Sequence, residues 1–507
     1  MPVVFYIVII TVVFLFMSLL VRMYRREIGI YMALGFSGGS IRGLFALLGL
    51  LIALGSFLPG LGIGWILIRL ISGYFRDFFP LPFTVARFDV PMLLPALLTS
   101  VIAVQISTWI GTSLVSCIHP SEAMARFTEP PPEVPKILDT LLKPARELEK
   151  YAILTMLRNP LRFLLSVICI SATSILIYSS MSFLTSKDAI LRQMFDQRIQ
   201  YDCEVYVAEG KENEFAEKLK RLDYVSAAEP SGYYFRQIEH DGKKKSVLIG
   251  TAKDGSSLIS VRDSSGKELS IPESGIVLDR CSAETLGVKA GDKVNIDGTE
   301  ITVTGLSDQY ISRIQYLSAR QAEDLGKEDL GVLLVRMAED KEQELKRYLS
   351  EEDGYLYVIF THSLKNGFET LYETYDLYAW ILVGFAVVIG LLIVLNITAA
   401  SLIEQKKEIC MFRTLGFSVG EIGRNLFSQS VVRFLFSLLI GIPIGGTIAR
   451  YALGAISTDS RVFPYVSGVK ELVLTGLIVF GYTLISHVLS IQSIRRWDIV
   501  EAVKDRE

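Results

Sequence analysis

The sequence predicts an α-helical integral membrane protein with about seven transmembrane helices and one α+β extracytoplasmic domain. Three observations point there. Seven long apolar runs punctuate the chain, a polar block of roughly 190 residues separates the fourth run from the fifth, and two passages on either side of that block repeat each other. Half of the 507 residues are hydrophobic and the mean hydropathy is +0.40, more apolar than a soluble chain with ordinary surfaces.

A hydrocarbon core about 30 Å thick takes roughly 20 residues of helix to cross. Runs of that length lie near residues 2–21, 43–68, 91–117, 162–183, 379–402, 428–449 and 472–493, each nearly or wholly free of ionisable side chains. Lipid offers the backbone no hydrogen-bond partners, so these runs must be helices. The second carries Pro59-Gly60 and is expected to tilt or kink there. The first has no basic residue before it and no small-residue cleavage site after it, which separates it from a signal peptide. Arg22, Arg25 and Arg26 follow it, and the positive-inside rule sets that end in the cytoplasm. Counting onward, the loops 118–161 and 403–427 and the tail after Ser493 are cytoplasmic, and they are rich in Lys and Arg. Residues 184–378 and the short loops near 69–90 and 450–471 fall outside.

The polar block is large enough to bury a core of its own. Tyr201 to Val207 alternates like a strand, Glu212 to Leu222 reads as an amphipathic helix, and Tyr233 to Thr251 returns to strand. A second β-α-β passage runs from Gly331 to Arg336, through Asp340 to Leu349, to Tyr355 to Phe360. Between them lies a turn-rich β stretch, Gly275 to Leu306, with Gly287-Val288-Lys289-Ala290-Gly291-Asp292 and the hairpin signal Asp297-Gly298.

Composition also excludes several functions. A formal net charge of −3 implies no nucleic acid or acidic substrate. Cys117, Cys169, Cys203, Cys281 and Cys410 are scattered without C-x-x-C spacing. Only Cys203 and Cys281 share the polar block; two free thiols is the simpler reading and a disulfide the alternative. His119, His240, His362 and His487 sit on separate segments without metal spacing or a nucleophile motif. No G-x-x-x-x-G-K-[ST] loop exists to cradle ATP phosphates. The sequence therefore predicts no enzyme active site, no cofactor and no metal, and any ATP hydrolysis must come from a partner. The spans hold almost no ionisable groups near their centres, against an ion-coupled transporter; Arg433 and His487 lie toward the cytoplasmic ends. Glycines 60, 62 and 64, and 441, 445 and 446, read as helix-packing surfaces.

The chain repeats itself on either side of the polar block. Residues 25–41 read RREIGIYMALGFSGGSI and residues 406–422 read KKEICMFRTLGFSVGEI, so Glu27 aligns with Glu408 and Gly35 with Gly416. Each copy follows one span and leads into another. Each repeat also closes alike, at Pro120-Ser121-Glu122-Ala123-Met124 and at Val500-Glu501-Ala502-Val503. Gly35 and Gly416 suit the left-handed position that ends a helix, and Ser37 and Ser418 are placed to cap the next one, Ser418 with Glu421 as a capping box. Ile409, Phe412 and Leu415 are expected to share an apolar face. The result is an elbow at the inner membrane surface, at residues 23–43 and again at 404–427. One such copy reads as an interfacial anchor; two at matching places argue for a shared task.

These residues resemble the FtsX-like permease family, which includes the MacB-type exporters and the lipoprotein-releasing permeases. The family's (R/K)-E-I-G-…-L-G coupling element is matched by Arg26-Glu27-Ile28-Gly29 with Leu34-Gly35, and by Lys407-Glu408-Ile409-Cys410 with Leu415-Gly416, the second departing at Cys410. Glu122-Ala123 and Glu501-Ala502 resemble the closing P-x-E-A-L element, the second without its proline. Arg158-Asn159-Pro160-Leu161-Arg162 resembles the approach to the family's first span, and Gly287 to Asp292 the β module of MacB-type periplasmic domains. The resemblance implies a first permease repeat at 1–127, a cytoplasmic linker and interfacial helix at 128–160, a lead-in span at 161–183, an extracytoplasmic α+β domain resembling the MacB periplasmic core at 184–378, and a second permease repeat at 379–507. It also leads to the expectation that a lead-in span and ectodomain of the first repeat lie upstream of Met1. It implies cytoplasmic ABC ATPase subunits as partners, docked on Arg26, Glu27, Tyr31, Gly35 and Phe36 and on Lys407, Glu408, Phe412, Gly416 and Phe417. Nucleotide-driven motion would pass to the outer domain for export, extrusion or peptide resistance, in a multi-pass protein of the bacterial plasma membrane. The alternative is a membrane-anchored sensor or scaffold whose outer domain binds an extracytoplasmic protein or peptide, such as a cell-wall hydrolase.

Overall fold

The computed structural model describes residues 2–78, 90–113, 156, 160–208, 210–253, 255–271, 273–322, 330–458 and 461–497. All of the expected linker at 128–160 but residues 156 and 160, together with Cys117, His119 and the closing motifs at Glu122-Ala123 and Glu501-Ala502, lies outside the described residues. The chain divides into two compact units, one of residues 1–181, 380–447 and 469–507, the other of residues 182–379 and 448–468.

The first unit begins with α1 (Pro2–Met23), α2 (Arg25–Ala33), α3 (Gly38–Phe78), α4 (Val90–Gly111) and the start of α5 (Pro160–Leu191). The polar unit contributes α6 (Glu212–Leu219), α7 (Arg280–Leu286) and α8 (Glu342–Ser350). The chain then returns through α9 (Thr361–Thr414), α10 (Val419–Ile456) and α11 (Val469–Arg495). Among the described residues six helices, α3, α4, α5, α9, α10 and α11, are long and apolar enough to cross a membrane. The remaining expected run forms α1, a 22-residue helix whose apolar stretch is described over Ile9–Val21.

Small residues set the close packing of the membrane unit. A Cβ at Gly49 of α3 would lie 2.6 Å from the Thr108 hydroxyl of α4, and one at Gly111 of α4 would lie 3.0 Å from Met17 Cβ and the Phe14 carbonyl of α1. In the second repeat Gly390 of α9 faces the Tyr482 ring of α11, whose hydroxyl lies 2.8 Å from Thr173 Oγ1 of α5. Cys169 and Ala172 of α5 pack with Ile393 and Ile397 of α9 and with Val12 and Leu15 of α1. Without a hydrophobic drive between helices in lipid, such close contacts and interhelical hydrogen bonds are what hold the bundle.

The polar unit is built on a nine-stranded sheet: β1 (Cys203–Val207), β2 (Val225–His240), β3 (Lys243–Ala252), β4 (Ile276–Asp279), β5 (Lys293–Ile296), β6 (Thr299–Ser307), β7 (Ile314–Ser318), β8 (Leu330–Met337) and β9 (Tyr355–Phe360). Its order is β9-β1-β8-β2-β3-β7-β4-β6-β5. The first four are antiparallel neighbours, and with α6 and α8 they form a β-α-β-β-α-β layer of ferredoxin-like topology. Phe215 and Leu219 of α6 and Leu345 and Leu349 of α8 recur at i, i+4 and bury one helical stripe against this sheet. Leu345→Ala would cost about 2–5 kcal/mol. The long β2 then leaves the flat layer, and its pairing of Ile238 with Ile296 of β5 closes the other strands into a small barrel around Ile238, Ile249, Ile276, Leu278 and Val303. Closure removes the exposed edges of that module.

Two expectations change here. The single strand expected over Tyr233–Thr251 is a hairpin, because Asp241 (φ 47°) and Gly242 (φ 77°) turn the chain between β2 and β3. The polar unit also takes in residues 448–468: Leu453 and Phe463 join Ile190, Phe195, Ile311 and Tyr372 in one cluster, and the Val462 amide donates to the Tyr310 carbonyl at 2.7 Å. Local pattern gave no sign of this, since the partners are far apart in sequence. Elsewhere local chemistry sets the turns. Asp279 caps α7 by accepting from the Cys281 and Ser282 amides, Gly287 ends it at φ 79°, and Asp297-Gly298 turns β5 into β6.

Candidate functional site

The repeated elbows are the candidate site, and each is assembled by the same backbone device. In the first, the Gly35 amide donates to the Met32 carbonyl and the Phe36 amide to the Tyr31 carbonyl, both at 3.1 Å. In the second, Gly416 donates to Arg413 at 3.1 Å and Phe417 to Phe412 at 3.0 Å. This pair of 5→2 and 6→1 bonds is the Schellman close, and it needs the left-handed residue that both glycines supply. The apolar contact that accompanies the motif is present in both copies as an edge-on ring pair. Tyr31 and Phe36 have centroids 6.0 Å apart at 85°, and Phe412 and Phe417 5.5 Å apart at 79°.

The following helices are capped in related ways. Ser37 Oγ accepts from the Ser40 amide at 3.1 Å. Ser418 and Glu421 form a reciprocal box: the Glu421 carboxylate accepts from the Ser418 amide and hydroxyl at 2.9 and 2.8 Å, and Ser418 Oγ accepts from the Glu421 amide at 3.3 Å.

Behind each elbow lies a matching apolar cluster. Val21, Ile28 and Ile41 are buried with Met32 and Phe45 packed on them; Leu402, Ile409, Ile422 and Leu426 take the equivalent places. Ile494 of α11 and Trp497 beyond it complete the second cluster. Lys406 stands 6.0 Å over the Trp497 ring, and an Arg413 guanidinium nitrogen donates to the Trp497 carbonyl at 3.5 Å. Trp497 escaped the sequence reading because nothing local ties a residue past the last span to the elbow.

Of the ten candidate coupling residues, Arg26, Glu27, Tyr31, Gly35 and Phe36 are all exposed on the first elbow. On the second, Gly416 is exposed, Glu408, Phe412 and Phe417 are half-buried, and Lys407 continues the helix backbone. Leu415 does not share the face of Ile409 and Phe412. It is 68% exposed, like Leu34 at 70%, because six positions after Ile409 a helical residue has rotated to another side. The two elbows also differ at their starts. Tyr24 interrupts the helix before α2, whereas α9 runs unbroken into the second elbow. Gly29 and Cys410, where the copies depart from one another, are both buried. Each elbow thus presents a short polar-and-apolar surface whose turn is closed onto the preceding helix and capped onto the helix that follows.

The fold and this duplicated site define a polytopic membrane protein made of two copies of a span, an elbow and two further spans, with one α+β domain. The family model for the FtsX-like permease C-terminal matches residues 1–133 and 380–499, the two repeats. The chain belongs to the FtsX-like permease family and is an ABC transporter permease. Among solved structures it is similar to the periplasmic region of MacB from Actinobacillus actinomycetemcomitans, at 14% identity and a TM-score of 0.27, over 35% of this chain and 97% of that one. It is also similar to the extracellular domain of the ABC-type transporter YknZ from Gram-positive bacteria, at 15% identity and a TM-score of 0.24, over 31% of this chain and 98% of that one. No curated protein matches the chain.

Proposed function

We propose that this permease carries ATP-driven motion from cytoplasmic ATPase subunits, held at the two elbows, to its α+β domain outside the bacterial plasma membrane, for export, extrusion or peptide resistance. The observation that supports this most is the duplication of one capped geometry, with a ring pair and an exposed leucine at equivalent positions in both copies. A membrane anchor needs apolar area and basic charge but no defined turn; a docking surface needs the turn. Charged groups at Arg26, Glu27 and Glu408 would orient the partner, while Tyr31, Leu34, Phe36 and Leu415 would supply apolar contact. A force delivered there would enter α3 and α10 through the Ser37 and Ser418 caps and through the apolar clusters behind each elbow. Copurification of the permease with its ATPase, and the stimulation of ATP turnover by the permease, test the reading. A chain that binds no ATPase and retains its outer partner would instead be a sensor or scaffold.

A further inference from the structure

The apolar runs 379–402, 428–449 and 472–493 hold no Asp or Glu and a single Lys or Arg, Arg433 of α10. Among the described residues no carboxylate stands within ion-pair distance of it, and its guanidinium makes one hydrogen bond, to Gln429 Oε1 at 3.4 Å. Arg433 lies about 13 Å further along α10 than the exposed Arg424, more than its side chain can span. A guanidinium without a counter-charge inside a membrane span is strongly unfavourable, and an anion supplied from outside the chain relieves it.

Two more polar groups on the same side of α10 lack partners. Gln429 is 2% exposed, and its Nε2 donates to nothing among the described residues. Its Oε1 is already taken, by Arg433 and by Gln405 Nε2 of α9 at 3.5 Å. Asn425, one turn nearer the elbow, is 5% exposed, and its Oδ1 accepts from nothing among the described residues. A spacing of four sets Asn425, Gln429 and Arg433 in one row. Aligning Gly35 with Gly416 puts Leu44, Leu48 and Ile52 of α3 at these three places. The polar row therefore belongs to the second repeat alone, and the turn and cap that both elbows share do not require it.

We propose that Arg433, Gln429 and Asn425 bind the headgroup of an anionic phospholipid bearing terminal hydroxyls, of the phosphatidylglycerol type, in the leaflet that borders the elbows. Each unfilled group then has a match. The phosphate accepts from the Arg433 guanidinium and from Gln429 Nε2, and a headgroup hydroxyl donates to Asn425 Oδ1. Arg433 is the partly exposed member of the row, so the phosphate approaches there. From Arg433 to Asn425 the row runs toward the elbow, the direction in which a headgroup points from its phosphate. A zwitterionic headgroup brings its own cation and leaves the net charge of the guanidinium uncompensated. This inference is independent of where the ATPase binds.

The test is native mass spectrometry of the full chain released from nanodiscs of phosphatidylglycerol and phosphatidylcholine in equal parts. Phosphatidylglycerol should stay on the chain in preference to phosphatidylcholine. Arg433→Ile, which installs the residue found at the matching place of the first repeat, should lower that retention about tenfold. Arg424→Ile, which removes an exposed charge from the same helix, should leave it unchanged. Gln429→Leu keeps the charge and should lower retention severalfold, so it decides the question on its own where Arg433→Ile fails to fold. Asn425→Leu should weaken phosphatidylglycerol and leave phosphatidic acid, which lacks the headgroup glycerol, unaffected. Equal retention of the two lipids, equal loss with Arg424→Ile, or full retention in both Arg433→Ile and Gln429→Leu overturns the proposal. Displacement of the lipid by excess inorganic phosphate also overturns it, assigning the row to a free anion.

Discussion

Gly35 and Gly416 hold the same backbone shape, at φ of 95° and 94°; the first ends the short α2 and the second the long α9, and each turns the chain into the next apolar helix. The two turns are stabilised unequally, because only the second is followed by a reciprocal capping box. Ser418→Ala removes the acceptor for the Glu421 amide and should cost about 1 kcal/mol locally. Hydrogen exchange at residues 419–422 should speed up accordingly. Ser37→Ala should accelerate the start of α3 less, since Ser37 caps without a carboxylate partner. Equal acceleration in both elbows would contradict the difference.

The polar unit should lose stability at alkaline pH through a buried tyrosine cluster. Tyr201, Tyr206 and Tyr233 donate their hydroxyls to the Glu204 carboxylate at 2.5, 2.8 and 3.0 Å. Burial, and then the Glu204 charge, push Tyr201 and Tyr233 well above the ordinary tyrosine value. The fold thus favours the neutral phenols, so this stabilisation is complete below about pH 10 and is lost as pH rises through the folded values. The tyrosinate absorbance of these rings should appear only together with loss of the β-sheet circular dichroism signal. Full titration near pH 10 in a still-folded domain would contradict this.

Thiol labelling reads out both folding and orientation. Cys203 is fully buried in β1 between β8 and β9, Cys410 is 2% exposed, and Cys281 on α7 is partly exposed. A membrane-impermeant maleimide added to intact cells should label Cys281, and should reach Cys203 only after unfolding. Labelling of Cys410 from outside would contradict the orientation proposed.

What the sequence shows well is what a few adjacent residues decide. Gly416, Ser418 and Glu421 carry the elbow because a left-handed residue, a cap and its carboxylate each act within one turn. The apolar runs are legible because lipid demands helices. The barrel is not, because it depends on Ile238 meeting Ile296 across an intervening hairpin and two further strands. Nor is the place of Phe463, which lies in a loop between spans yet packs on Phe183 and Tyr372. Leu415 is exposed because its rotation about the helix axis, and not its apolar character, decides which way it faces.

The central claim is that the elbows hold the ATPase, and the most direct measurement is ATPase copurification and stimulated turnover in a reconstituted complex carrying Gly416→Val or Glu408→Lys. Valine in the left-handed region costs on the order of 1–3 kcal/mol and should misalign the ring pair and the start of α10. Lysine at position 408 reverses a half-buried charge on the elbow, two residues beyond the apolar span Thr361–Lys406. Both variants should insert and keep the polar unit folded, yet show weakened docking or ATP turnover uncoupled from transport. Wild-type binding and coupling in both would contradict the account and leave the elbows as interfacial anchors.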